Sequence, residues 1–89
     1  MAVRVLVADD HALVRKGLQQ VIKEQAPDMV VGEAADGEQV LALVQAQEWD
    51  VLVLDLGMPR RSGLEILQEL RTLRPKLPVL ILSVHSEDQ

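Results

Sequence analysis

The sequence predicts an open α/β sheet of parallel strands joined by helices, in the order β-α-β-α-β-α-β. Three observations carry that prediction. Short apolar runs recur at Val3 to Ala8, broken only by Arg4, at Val51 to Leu54 and at Val79 to Leu82; runs of this length suit strands covered on both faces. Between them, apolar residues fall at helical spacing. Proline or a capping residue punctuates the changes of period.

The first strand stops at Asp9-Asp10. In the helix that follows, Val14, Leu18, Val21, Ile22 and Gln25 keep helical spacing until Pro27 ends the segment. Asp10, just before that helix, also has the character of an N-cap, whose carboxylate satisfies free amides and favours the helix dipole. The second strand, Val30 to Ala35, is less uniformly apolar, which suits a more exposed position. Val40, Leu41 and Val44 form the second helical stripe, with Asp36 and Gln39 spaced as a capping box. The third strand, Val51 to Leu54, ends at Asp55. Ser62 and Glu65 are spaced S-x-x-E at the start of the third helix, Leu64, Leu67 and Leu70 read as its core stripe, and Pro75 stops it. The fourth strand, Val79 to Leu82, leads to Ser83 and the polar Ser86-Glu87-Asp88-Gln89. A strand so apolar is expected to be covered, so a fragment, or completion by a partner chain, is the expectation.

Eighty-nine residues make one domain at most, with a single modest core that buries roughly 60 to 65% of the unfolded surface. The absence of cysteine excludes a disulfide framework, a thiolate zinc site and thiol redox chemistry. With 9 basic and 14 acidic side chains, a net charge of −5 and Trp49 as the sole aromatic ring, the chain lacks the basic face or stacking rings that nucleic-acid binding demands. No apolar run approaches the ~18 residues of a membrane span, and the N-terminal apolar segment is too short for a signal peptide. A soluble, cytoplasmic domain with no membrane partner is expected.

Open parallel sheets carry their sites at the carboxyl ends of the strands. There this sequence places Asp9-Asp10 after the first strand, Asp55 after the third and Ser83 after the fourth. Three carboxylates brought together repel one another unless a hard divalent cation with oxygen ligands neutralises them, and Mg2+ is the natural candidate. Such an ion keeps positions open for water and a phosphate oxygen, which points to phosphoryl chemistry. Asp55 is the best-placed nucleophile, since a carboxylate can form an acyl phosphate. In the following turn, Leu56-Gly57-Met58-Pro59, Gly57 can bring its backbone carbonyl near the metal and Pro59 stiffens the exit. Ser83 can donate a hydrogen bond to a phosphoryl oxygen. That bond would draw the loop after the fourth strand inward.

Asp9-Asp10, the D-L-G-M-P turn from Asp55 to Pro59 followed by Gly63, and Ser83 after the fourth strand together resemble the receiver domain of two-component response regulators. The resemblance runs from Val3 to the last residue. D-D-H-A-L-V-R-K-G from Asp9 to Gly17, and the ending L-S-V-H-S-E-D-Q, resemble the LuxR/NarL-type branch, transcription regulators with a C-terminal helix-turn-helix domain. The resemblance implies a flavodoxin-like (CheY-like) three-layer α/β/α fold with strand order 2-1-3-4-5. It implies Asp55 as the phosphoacceptor, Asp9, Asp10, Asp55 and the Gly57 carbonyl as Mg2+ contacts, and Ser83 as the hydroxyl that senses the phosphoryl group. A phosphohistidine on a sensor histidine kinase is the implied donor, with DNA contacted only through the C-terminal domain. The domain is then a switch that catalyses its own phosphorylation and dephosphorylation, rather than an enzyme.

Members of the family continue with a fourth helix, a fifth strand carrying a lysine and an aromatic residue, and a fifth helix. Residues 1–89 match the amino-terminal portion alone, and Lys76 lies at the wrong end of the fourth strand to serve as that lysine. Metal binding is expected to survive better than phosphorylation, and association with a second copy is expected. Among single residues, His11 reads as an exposed position at a helix start rather than a ligand or phosphate carrier. Arg60-Arg61 reads as a solvated turn, and Gly63 as relief of crowding at the start of the third helix. Trp49, up to ~20 Å from Asp55 along the strand, reads as a packing residue. An aspartate-nucleophile phosphohydrolase is the enzymatic alternative, opposed by Gly57 where a D-x-D motif needs a second carboxylate. A degenerate receiver acting only as an interaction module is a further one. Dinucleotide binding fails for want of G-x-G-x-x-G after the first strand.

Overall fold

The computed structural model describes residues 2–58 and 63–82. Four strands, β1 (Arg4–Ala8), β2 (Val30–Ala34), β3 (Val51–Asp55) and β4 (Val79–Leu82), alternate with three helices, α1 (Ala12–Gln25), α2 (Gly37–Ala46) and α3 (Gly63–Leu73). The strands form one parallel sheet in the order β2-β1-β3-β4. The expected fold class, element order and strand order therefore hold, with three shifts at the strand ends, the first being that β2 ends at Ala34, one residue short of the expected Ala35. Val3 precedes β1, although its carbonyl accepts from Val30 N–H at 2.8 Å. Asp55, expected just beyond β3, is its last residue and pairs with Leu82.

Strand alternation divides the core into two faces. Leu6, Ala8, Leu52 and Leu54 point toward α2 and α3, where they pack with Val40, Leu41, Val44, Ile66 and Leu70. Val5, Val7 and Val53 point the other way, against Leu18 and Ile22 of α1. The α2/α3 face is the tighter one: each fully buried leucine or isoleucine there contributes about 1.5–3 kcal/mol relative to exposure. By contrast α1 contains no fully buried residue, and Val21, on the flank of its stripe, is exposed.

Helix ends follow local chemistry. The Asp36 carboxylate accepts from Gln39 N–H at 2.9 Å, so the expected cap is formed, while Gln39 Oε1 accepts from Ala35 N–H at 2.7 Å, one residue before the N-cap position a capping box uses. At α1 the N-cap is His11, not Asp10, and its side chain makes no capping bond. The physical reason is that Asp9 Oδ1 accepts from His11 N–H at 2.7 Å, which turns the chain one residue later than the carboxylate pattern suggests. Ser62, the expected cap of α3, and Arg60-Arg61 lie outside the described residues.

One expectation about burial is corrected. In α3 the buried residues are Gly63, Ile66 and Leu70, with Leu67 partly buried, while Leu64 is 62% exposed. At about 100° per residue, Leu64 sits about 120° around the helix from Leu70, whereas Gly63 and Leu70 nearly coincide. β4 leaves Leu80 and Ile81 exposed at the edge of the described sheet, the face for which further cover was expected from outside these residues. Trp49 is a packing residue as expected: its indole lies over Gly32, where a Cβ would strike the ring, and its Nε1–H donates to the Leu43 carbonyl at 3.0 Å.

The reassigned α3 stripe makes a direct prediction. Ile66→Ala lowers the unfolding free energy by about 2–5 kcal/mol and Leu64→Ala by less than about 1 kcal/mol, measured by urea denaturation. Equal losses for the two variants contradict the packing described.

Candidate phosphoacceptor and cation site

The site is a consequence of sheet register. Ala8 pairs with Leu54, so the next residues, Asp9 and Asp55, emerge side by side at the carboxyl edge. Asp9 N–H donates to the Ala34 carbonyl at 3.0 Å, extending the β1–β2 ladder and fixing the start of the loop. In the order β2-β1-β3-β4, the chain leaves β1 toward one side of the sheet and β3 toward the other, which opens a crevice between the two loops. Asp9 and Asp55 flank it.

Both carboxylates are buried, at 0% and 2% exposure. One oxygen from each of Asp9, Asp10 and Asp55, together with a ring nitrogen of His11, lies within 4.8 Å of every other. Asp9 Oδ2 and Asp10 Oδ1 are buried oxygens that accept no hydrogen bond from the described protein. No lysine or arginine side chain among the described residues pairs with these carboxylates. Two unit charges 4 Å apart repel by about 4 kcal/mol at an effective dielectric of about 20, so a buried cluster with unspent acceptors is costly in isolation. An oxygen-seeking divalent cation relieves the cost, and the donor set present suits one: carboxylates at the strand ends, one of them with a buried oxygen left over.

The neighbouring groups hold this arrangement. Gly57 N–H donates to Asp55 Oδ1 at 3.0 Å, folding the turn after β3 back over the carboxylate, and Met58 is anchored in the core. Gly63 N–H donates to the Leu56 carbonyl at 3.2 Å, and a Cβ on Gly63 would stand 2.5 Å from Leu56 Cα. The glycine is therefore required by close approach of two backbones, as expected from crowding at this helix start. Ser83, assigned the hydroxyl role by resemblance, lies outside the described residues.

One supporting network escaped the sequence reading. Arg15 donates through its terminal nitrogen to the Asp9 carbonyl at 2.7 Å and through Nε to Glu33 at 2.8 Å, while Gln19 donates to the other Glu33 oxygen at 3.0 Å. This bridge ties α1 and β2 to the backbone of the acid pair. Its signal is present in the sequence: Arg15 and Gln19 are four apart on one helix face, and Glu33 is the acidic interruption of β2.

His11 is the second addition. Its side chain is 61% exposed, as expected, yet Nδ1 lies 3.0 Å from Asp9 Oδ1 and 3.1 Å from Asp10 Oδ1. The hydrogen bond to Asp9, and then the charge of Asp10, raise its pKa above 6.5. Protonated His11 therefore contributes stability that is complete below pH 6.5 and is lost as pH rises through the higher folded-state value.

With the fold and site described, comparison with known proteins defines the class. The response regulator receiver domain model matches residues 5–89. The chain belongs to the receiver domain family. The nitrate/nitrite response regulator protein NarL of Escherichia coli is 44% identical over 87 residues, covering 94% of this chain and 40% of NarL. The protein-glutamate methylesterase/protein-glutamine glutaminase 1 of Dechloromonas aromatica is 47% identical over 85 residues, covering 94% of this chain and 24% of that protein. Among solved structures, response regulator protein TrrA of Thermotoga maritima in complex with Mg(2+)-BeF superposes with a TM-score of 0.87 at 30% identity, over 94% of this chain and 71% of that one. The chain spans about 40% of the length of NarL.

The ring contacts of His11 are open to titration by NMR. In the presence of a chelator, its ring resonances give a pKa above 6.5, and Asp10→Asn brings that value down. A wild-type value at or below 6.5 contradicts the contacts described.

Proposed function

We propose that Asp55 accepts a phosphoryl group from a phosphohistidine of a sensor histidine kinase, with Mg2+ held by Asp9, Asp10, Asp55 and the Gly57 carbonyl. The observation that carries this reading is the buried Asp55 carboxylate beside Asp9, whose Oδ2 has no partner in the described protein. TrrA, similar in fold and binding Mg(2+)-BeF, supports it.

The residues divide the chemistry between them. A carboxylate oxygen of Asp55 attacks phosphorus; the bond from phosphorus to the donor nitrogen breaks, and the donor imidazole leaves with the bonding pair. Gly57 N–H, bonded to Asp55 Oδ1 at 3.0 Å, fixes the orientation of the carboxylate. Asp9 and Asp10 contribute negative charge that holds the cation. When bound, Mg2+ neutralises the carboxylates and shields the incoming phosphoryl charge. Ser83 donates a hydrogen bond to a phosphoryl oxygen once transfer is complete.

In the whole protein the switch governs a DNA-binding transcription regulator, a reading that NarL supports through its response-regulator name and 44% identity. The receiver itself serves signalling. The Dechloromonas relative pairs a similar segment with a protein named for an enzymatic activity. None of the described helices is long and apolar enough to cross a membrane.

Acetyl phosphate and Mg2+ supplied to the protein carrying its full receiver domain add one phosphoryl group, read as a mass increase that is lost on hydroxylamine treatment. Asp55→Asn abolishes the addition. Label retained in that variant assigns the acceptor elsewhere.

A further inference from the structure

Beside the carboxylates, the site contains a donor of a different kind. His11 occupies the N-cap position of α1, but its ring caps no helix amide. Nδ1 is instead directed at the acid pair, 3.0 Å from Asp9 Oδ1 and 3.1 Å from Asp10 Oδ1. Two ligands at right angles around an ion, each with a bond of about 2.1 Å, lie about 3.0 Å apart. The imidazole thus already stands at the spacing of an adjacent ligand.

We infer that His11 is a direct nitrogen ligand at this site for first-row divalent transition ions, so that the site takes Mn2+ or Ni2+ through one more protein donor than it offers Mg2+. The inference rests on the cation-site reading above and goes beyond it. Independent support for a ligand at this spot is Asp9 Oδ2, fully buried, without a hydrogen-bond partner, and part of the same cluster. The chemistry distinguishes the ions. Mg2+ is hard, prefers oxygen and retains its waters, and gains little from an imidazole; Mn2+ accepts mixed oxygen and nitrogen donors, and Ni2+ favours nitrogen strongly. Binding of an ion at Nδ1 takes the place of the ring's hydrogen bond to Asp9 Oδ1. Because the His11 side chain is largely exposed, it can swing aside when Mg2+ is bound and return for a nitrogen-seeking ion.

The test uses the full chain with the metals alone as probes. Calorimetric titration with Mg2+, Mn2+ and Ni2+ is performed on the wild type, His11→Ala and His11→Asn; asparagine is a good N-cap residue and keeps the helix start intact. Both variants are expected to lose at least tenfold in Ni2+ affinity and several-fold in Mn2+ affinity, while Mg2+ affinity stays within about twofold. Electron spin echo modulation of bound Mn2+ is expected to show a directly coordinated nitrogen in the wild type and none in either variant. A wild-type Mn2+ complex without nitrogen coupling, or variants that lose equal affinity for all three ions, overturns the role of His11 and leaves the carboxylate site standing. Failure of Mg2+ and Mn2+ alike to bind the wild type overturns the site and the inference together.

Discussion

Like charges held together with no lysine or arginine partner among the described residues are the constraint on which this structure turns. Asp9 and Asp55 are buried at the carboxyl edge of the sheet, Asp10 stands beside them, and no lysine or arginine side chain among the described residues pairs with any of the three. Removing carboxylates from water is costly, and their mutual repulsion adds to the cost. On the function proposed, a fold that tolerates the arrangement gives up stability at its site in return for affinity toward a cation, and through the cation toward a phosphoryl group.

The rest of the molecule makes that arrangement unavoidable. The β1–β3 register fixes Asp9 beside Asp55, because Ala8 pairs with Leu54 one residue earlier. Buried leucines on the α2/α3 face hold that register, since a slip of one residue would turn Leu6, Leu52 and Leu54 out of the core. Close contact between Leu56 and Gly63 tightens the segment after Asp55, and the Arg15–Glu33 bridge secures the backbone on the other side. Packing at the centre of the sheet is thus spent on positioning oxygens at its edge.

Much of this was legible in the sequence. Apolar runs gave the strands, and the acidic residues after the first and third runs gave the site, because a parallel sheet brings strand ends together whatever their separation along the chain. Asp36 and Gln39 were legible as a cap because that interaction is local. The misreading of Leu64 arose from helical phase: a three-residue repeat drifts around the helix, and the buried line runs instead through Gly63, Ile66 and Leu70. Leu80 and Ile81 are exposed in the described sheet although their strand is composed for burial, since burial depends on what lies over a strand as well as on its composition. The turn of His11 toward the carboxylates was not legible at all. It depends on a side-chain rotamer and on Asp9 taking the His11 amide, neither of which leaves a pattern in sequence.

Thermal unfolding with and without Mg2+ tests the balance between repulsion and cation binding most directly. If the buried carboxylates oppose folding until a cation joins them, Asp9→Asn raises the melting temperature of the metal-free protein and removes the rise that Mg2+ produces in the wild type. A metal-free variant that melts lower than the wild type, with the Mg2+-dependent rise intact, contradicts the account.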